Sequence, residues 1–214
     1  GEPDKDRHVE FFNFRGLTFA HTDWFQPGQD GDLTCLGVPQ AAQHVGGAIE
    51  LEGARHCAFE DCRIAHIGGY AVDVKDGCTA LRIVGNELDD LGAGGIKVNG
   101  ADAHGPACRR TGGLRITDNH LHGGGQVFHA GVGILTQHSG NNVIAHNHIH
   151  DFHYTGISVG WVWGWDESVS KNNRILKNHI HDIGKGWLND MGGIYTLGVQ
   201  PGTIIRGNLI HDIR

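Results

Sequence analysis

Six segments of the chain obey one frame. They are FEDCRIAH (59–66), IVGNELDD (83–90), ITDNHLHG (116–123), IAHNHIHD (144–151), ILKNHIHD (175–182) and IRGNLIHD (205–212). Each carries an apolar residue, two variable residues, a small polar residue, one more variable residue, then Ile or Leu. The polar column reads Cys62, Asn86, Asn119, Asn147, Asn178, Asn208, at spacings of 24, 33, 28, 31 and 30 residues. FRGLTFAH (14–21) fits the same frame with Leu17 in the polar place. A second column runs between these segments: Ile49, Val72, Ile96, Ile134, Ile157, Ile194, each followed two residues on by Leu51, Val74, Val98, Thr136, Val159, Thr196. An apolar residue at every second position is the alternation of a strand with one buried face.

Two strand types in fixed order, one pair every 23–38 residues, define a solenoid. One coil cannot cover its own apolar side, but stacked coils share a continuous core. The leucine consensus of a leucine-rich repeat is missing, and so are the four strands per repeat of a propeller. The pattern predicts an all-β parallel β-helix of about seven coils in one domain, 1–214, after a lead-in at 1–8. The repeat is still running at Arg214, so the chain is expected to stop in mid-solenoid.

Composition agrees. Glycine supplies 35 of 214 residues without a Gly-X-Y period, which excludes collagen and calls for many turns. Net charge is −7, with no basic stripe, so nucleic acid is not an expected partner. No apolar run approaches the length of a membrane span. Cys35, Cys57, Cys62, Cys78 and Cys108 are odd in number and form no CxxC pair, so free buried thiols are expected.

Ile144 and Asn147 both face inward three residues apart, so the chain must bend between them. Asparagine tolerates the left-handed conformation such a bend needs, and its amide can donate to the next coil's amide oxygen. Asn86, Asn119, Asn147, Asn178 and Asn208 are therefore read as an internal ladder that ends at Cys62. His146, His148 and His150 are read as outward, stacked between His120 and His122 on one side and His179 and His181 on the other, with His211 beyond. Ladder neighbours about 4.8 Å apart do not converge on a tetrahedral ion, so no metal and no other cofactor is expected.

Outward residues of the second column, Glu50, Asp73, Lys97, Leu135, Ser158 and Tyr195, predict a strip that is polar at all but one position. Long excursions flank it, at 22–46, at 99–113 and at GWVWGWDES (160–168). Loops this long in a compact repeat commonly carry function. Trp161, Trp163, Trp165 and Trp187 are four of the five tryptophans and fall within 27 residues. Their flat apolar faces match the C–H faces of sugar rings. Asp190 sits at the lip of the strip beside Trp187, with His153 at the same offset one coil earlier. A carboxyl beside an aromatic and an imidazole suits general acid–base work. The candidate set is Asp190 for catalysis, with Trp161, Trp163, Trp187, His153, Tyr195 and Lys97 for binding.

HTDW (21–24), AIELEGARHCAFEDC (48–62), LDDLGAGGIKV (88–98), YTGISVGWVWGW (154–165) and above all NDMGGIYTLGVQPGTIIRGNLIHDI (189–213) resemble the right-handed parallel β-helix enzymes of glycoside hydrolase family 141. The resemblance implies glycoside hydrolysis of fucoside- or xylan-type substrates by paired carboxyls, with Asp190 matching the aspartate of the DMGG motif. It also implies a further coil beyond IHDI carrying a second acidic motif. Within this chain Asp166, Asp151 and Asp73 are the alternatives for that partner. A polymeric carbohydrate as partner implies a secreted or periplasmic protein. A monomer is expected, or association through an open C-terminal edge. Two other readings stay open: a polysaccharide lyase or epimerase on the same fold, and a non-catalytic carbohydrate-binding or structural solenoid.

Overall fold

The computed structural model describes residues 1–24 and 40–214. Three parallel sheets wind around one core, holding seven, seven and six strands. The first sheet runs from Asn13–Arg15 through Arg115–Thr117 to Ile204–Arg206. The second runs from Thr18–Ala20 through His148–Phe152 to Leu209–Ile213. The third runs from Gly47–Leu51 through Ile134–Thr136 to Ile194–Thr196. The fold is a parallel β-helix, and every coil sets its strands in register on the next.

The register is that of the sequence columns. Ile96 pairs with Val72 on one side and Ile134 on the other, and Ile116 with Ile83 and Ile144. Ile64, Ile116, Leu121, Ile134, Ile144, Ile149, Ile157 and Ile180 are all at 0% exposure, so each sheet sends its alternate residues into a shared interior.

The asparagine ladder closes at the bend between the first two sheets. Nδ2 of Asn86 donates to Oδ1 of Asn119 at 2.9 Å, and the same bond repeats from Asn119 to Asn147, Asn147 to Asn178 and Asn178 to Asn208. Each Nδ2 also donates to a main-chain carbonyl, as Asn147 does to Ile116. The ladder ends where the polar column loses its amide: the Cys62 main chain donates to Asn86 Oδ1, while its thiol turns to carbonyls. One detail is corrected. The asparagines do not take the left-handed conformation; their predecessors do, at Gly85, Asp118, His146, Lys177 and Gly207, as Asp61 does before Cys62, with φ between 52° and 69°. Asparagine is selected there for its amide, and the strain falls one residue earlier. His146 is therefore an exposed bend residue outside the imidazole stack.

A second amide ladder was not read from the sequence. Leu114 N donates to Asn142 Oδ1, and Asn142 N to Asn173 Oδ1. Its signal is Asn-Asn-x-Ile at 141–144 and again at 172–175. Of the cysteines, Cys57, Cys62 and Cys78 are buried and free, and burial pushes the Cys78 thiol up to about 11. Cys108 is exposed, contrary to expectation, because it rides on the short 3-10 turn Ala107–Arg109 outside the coil. Cys35 lies outside the described residues.

Candidate functional site

The outward face of the third sheet is not an open strip. Asp73, Lys97, Leu135 and Ser158 are 3%, 6%, 0% and 4% exposed. The segment 40–46 folds over them, and Ala41, Ala42, Val45, Tyr70, Val132, Leu135 and Tyr154 make a second, outer core. Tyr70 pins this cover by donating its hydroxyl to Ala41 O at 2.6 Å while accepting from Val132 N.

Lys97 is corrected accordingly. Its ammonium donates to Gln43 O and Val45 O and pairs with Asp73 Oδ2 at 3.1 Å, so all three N–H groups are spent inside the protein. Burial pushes the Asp73 carboxyl up and the Lys97 ammonium down, and each charge opposes the other's shift. Lys97 also lies three strands from Tyr195 in the sheet order, roughly 14 Å at the usual strand spacing. It clamps the 40–46 cover and does not face a ligand near Tyr195.

The strip thus survives only at its ends, and the C-terminal end holds Asp190. Asp190 takes φ +55°, a left-handed turn conformation, and is exposed. Tyr195 Oη donates to Asp190 Oδ1 at 3.4 Å, a long bond. Tyr154 Oη donates to the Asp190 main-chain carbonyl at 2.7 Å and holds the turn in place. Burial pushes the Tyr154 phenol up, and the nearby Asp190 charge adds to that shift. It therefore stays a donor at neutral pH.

Beside this turn stands an aromatic wall. The Trp187 ring meets His129 edge-on at 4.5 Å and His153 at 5.1 Å, and the two imidazoles lie 4.9 Å apart. Nδ1 of His129 and of His153 both bond main-chain carbonyls, Gly125 O and Gly124 O, which fixes the rings. Burial pushes the His153 imidazole down, so it is neutral at pH 7. His129 belongs to the wall and was not anticipated; it lies in the turn 125–130, which carries no repeat signal. Trp161 packs against the outer core, and Trp163 stacks edge-on against it at 5.0 Å. Trp163 and Trp165 are 60% and 93% exposed, as is Trp187 at 63%, so of the loop's three indoles only Trp161 is covered. Trp161, Leu188 and Met191 pack against the outer core, and Asp190 is tied to it through Tyr154.

Two of the three alternative carboxyls are engaged elsewhere, and the third is exposed on an excursion. Asp73 is under the cover, four strands from Tyr195, roughly 19 Å away by strand spacing. Asp151 bonds His150 Nδ1 and Lys185 Nζ on the second sheet's face. Asp166 contacts His104 Nε2 at 3.5 Å, joining two of the excursions.

The second sheet's outward face carries the imidazole stack. His120, His148 and His179 form one column at 4.8 Å centroid spacing. His122, His150, His181 and His211 form the other at 4.9 to 5.2 Å. Within each column the rings keep the expected ladder spacing, but contact between the two columns was not read from the sequence. Rings lean across the columns, and Nε2 atoms meet diagonally: His120 with His150 at 2.9 Å, His148 with His181 and His179 with His211 at 2.8 Å.

Comparison with known proteins places this architecture. The family model described as "Right handed beta helix region" matches residues 47–214. The chain belongs to that right-handed β-helix family. Among solved structures, a protein titled "Glycoside hydrolase" superposes with a TM-score of 0.85 at 24% identity, over 98% of this chain and 40% of that one. DFA-IIIase from Arthrobacter chlorophenolicus A6, solved without its lid, superposes with a TM-score of 0.55 at 11% identity, over 96% of this chain and 59% of that one. The chain thus spans less than two thirds of the length of either structure. A search of curated protein sequences returns no match.

Proposed function

We propose that this chain is the β-helix of a carbohydrate-active enzyme that cleaves glycosidic bonds, with Asp190 as a proton-transferring carboxyl. The observation that carries the reading is the Asp190 turn. It presents an exposed carboxylate, contacted by Tyr195 and anchored through Tyr154, beside a wall of Trp187, His129 and His153. A sugar ring laid on the indole faces brings its glycosidic oxygen toward a group able to donate or accept a proton. The likeness to a glycoside hydrolase supports the same reading at the level of fold. Fucoside- and xylan-type substrates, and a secreted or periplasmic location, extend it.

Glycosidases flank the bond with two carboxyls, about 5–5.5 Å apart for retention or about 6.5–9.5 Å for inversion. Asp73 is too distant and Asp151 is engaged on another face; Asp166, exposed on the tryptophan excursion and held only by a long contact to His104, is the partner this reading takes. The test is an assay on aryl fucosides, aryl xylosides and xylan with and without EDTA. Chromophore or reducing-end release unaffected by EDTA is expected. Asp190→Asn should lower turnover roughly 10²–10⁴-fold, the usual worth of a general acid or base, with an unchanged melting temperature. Full activity in that variant removes Asp190 from the mechanism. Ca²⁺-dependent formation of unsaturated uronate ends would make the protein a lyase instead.

A further inference from the structure

The diagonal Nε2 contacts are the least explained feature of the molecule. In the second column three of the four imidazoles are anchored by the aspartate that follows them: His150 Nδ1 to Asp151 Oδ2, His181 to Asp182 and His211 to Asp212, all at 2.8 Å. A carboxylate only accepts, so each Nδ1 carries the hydrogen and each Nε2 is left with a bare lone pair. That lone pair points at a second Nε2, on His120, His148 or His179, which supplies the one hydrogen between them. Aspartate-anchored imidazoles with an outward Nε2 lone pair are the arrangement proteins use to hold metal ligands in their correct tautomer.

We propose that the histidine face of the second sheet is a binding site for a divalent d-block ion with a preference for imidazole, held between the paired Nε2 atoms of successive coils. The ion takes the two lone pairs of a pair such as His120–His150. The bridging hydrogen passes through solvent to Nδ1 of the first-column ring, so no net charge leaves with it. Two nitrogens 2.9 Å apart and each about 2.0–2.1 Å from an ion subtend about 90° there, against about 109° at a tetrahedral centre. A right-angled bite suits the square-planar or octahedral preferences of Cu²⁺ and Ni²⁺ better than the tetrahedral preference of Zn²⁺. Further nitrogen is close: a ligand atom of His148 lies within 4.8 Å of those of His120 and His150, and His148, His179 and His181 repeat the grouping. At the start of the ladder, Nε2 of His122 is buried without a hydrogen-bond partner, with Glu87 Oε1 at 3.7 Å. Each filled pair would staple one coil to the next. Two dications a single coil apart repel, so the three pairs should take one or two ions rather than three.

The site stands apart from the sugar-binding reading and is tested without activity. The chelator-stripped full chain is titrated with Ni²⁺ by calorimetry and with Cu²⁺ by electron paramagnetic resonance. Expected are saturable Ni²⁺ uptake at one or two ions per chain, a raised melting temperature, and nitrogen hyperfine splitting on Cu²⁺. His150→Gln/His181→Gln/His211→Gln should weaken uptake at least tenfold. Asp151→Asn/Asp182→Asn/Asp212→Asn, which keeps every imidazole, should weaken it roughly 10–100-fold, as loss of anchoring partners does. Absence of saturable uptake, a Cu²⁺ spectrum without nitrogen splitting, or unchanged affinity in both triple variants would overturn the proposal. Should the histidine variant fail to fold, the aspartate variant and the Cu²⁺ spectrum decide alone.

Discussion

At the scale of single residues, Asn147 shows what the ladder requires. Its Oδ1 accepts from both the main-chain N and the Nδ2 of Asn119, and its own Nδ2 donates to Ile116 O and Asn178 Oδ1. Asn147→Ala leaves the Asn119 main-chain N–H and one of the two Asn119 Nδ2 hydrogens buried without an acceptor, while the other Nδ2 hydrogen keeps Ile83 O. Each orphaned group costs about 1–3 kcal/mol, so the expected loss is roughly 2–5 kcal/mol, measured as a drop in urea midpoint at constant slope. A loss below about 1 kcal/mol would mean water enters and replaces the amide. The inward Asn column was legible because the side chain that satisfies the bend is the same in every coil. The left-handed residue before it was not, because Asp, Gly, His and Lys fill that place in turn and no single residue type marks it.

At the scale of elements, three rings of the second sheet shift together. Burial pushes His120, His148 and His179 below the usual imidazole value, and charge on neighbouring rings pushes them further, His148 to about 4. In the unfolded chain these rings titrate near about 6.5. Between the two values the unfolded state binds more protons, so stability falls as pH falls. It should be complete above about pH 6.5 and decline steadily toward pH 4. Melting temperature followed across that window checks the sign; a plateau down to pH 4 would show that the aspartates neutralise the stack. The columns of this sheet were readable from His-Ile-His-Asp at 148–151 and 179–182, whereas their diagonal contact was not, since it depends on ring tilt. The third sheet teaches the opposite lesson. Its outward residues looked solvated because the 40–46 cover comes from a segment with no repeat signal. Lys97→Ala strands the buried Asp73 charge, a change worth about 3–5 kcal/mol when one partner of a buried pair is removed. It should also release the cover, seen as new protease cleavage within 40–46. Lys97→Met combined with Asp73→Leu should recover most of the stability without restoring resistance to cleavage, because the bonds to Gln43 and Val45 stay lost.

At the scale of the whole molecule, a solenoid has no centre that every element touches. Each coil contacts only its neighbours, so stability is a sum of coil terms and interface terms along one axis. The two ends are unequal to the middle in a visible way. Phe11, Phe12, Phe14 and Leu17 are 69%, 59%, 36% and 46% exposed at one end, and Ile204, Ile205, Leu209 and Ile210 are 45%, 49%, 58% and 41% exposed at the other. The middle-coil positions in register with Phe14 and Ile205, namely Ile116 and Ile144, and with Ile210, namely Leu121 and Ile149, are all at 0%. For this chain, amide exchange should therefore slow progressively from both ends toward the strands Arg115–Thr117, His120–Gly124, Val143–Ala145 and His148–Phe152. The strands Asn13–Arg15 and Leu209–Ile213 should exchange first, although their hydrogen bonds to neighbouring coils are as regular as any within. Regular bonds without burial resist opening poorly, because each frayed strand exposes little additional apolar surface when it leaves. Trp187, Asp190 and Tyr195 lie in the coil next to the last one, so their amides should exchange faster than those of the histidine pair His120–His150. Uniform protection along the axis, lost in one step in denaturant, would show instead that the coils unfold as a single block and that coupling between them exceeds what nearest-neighbour contact provides.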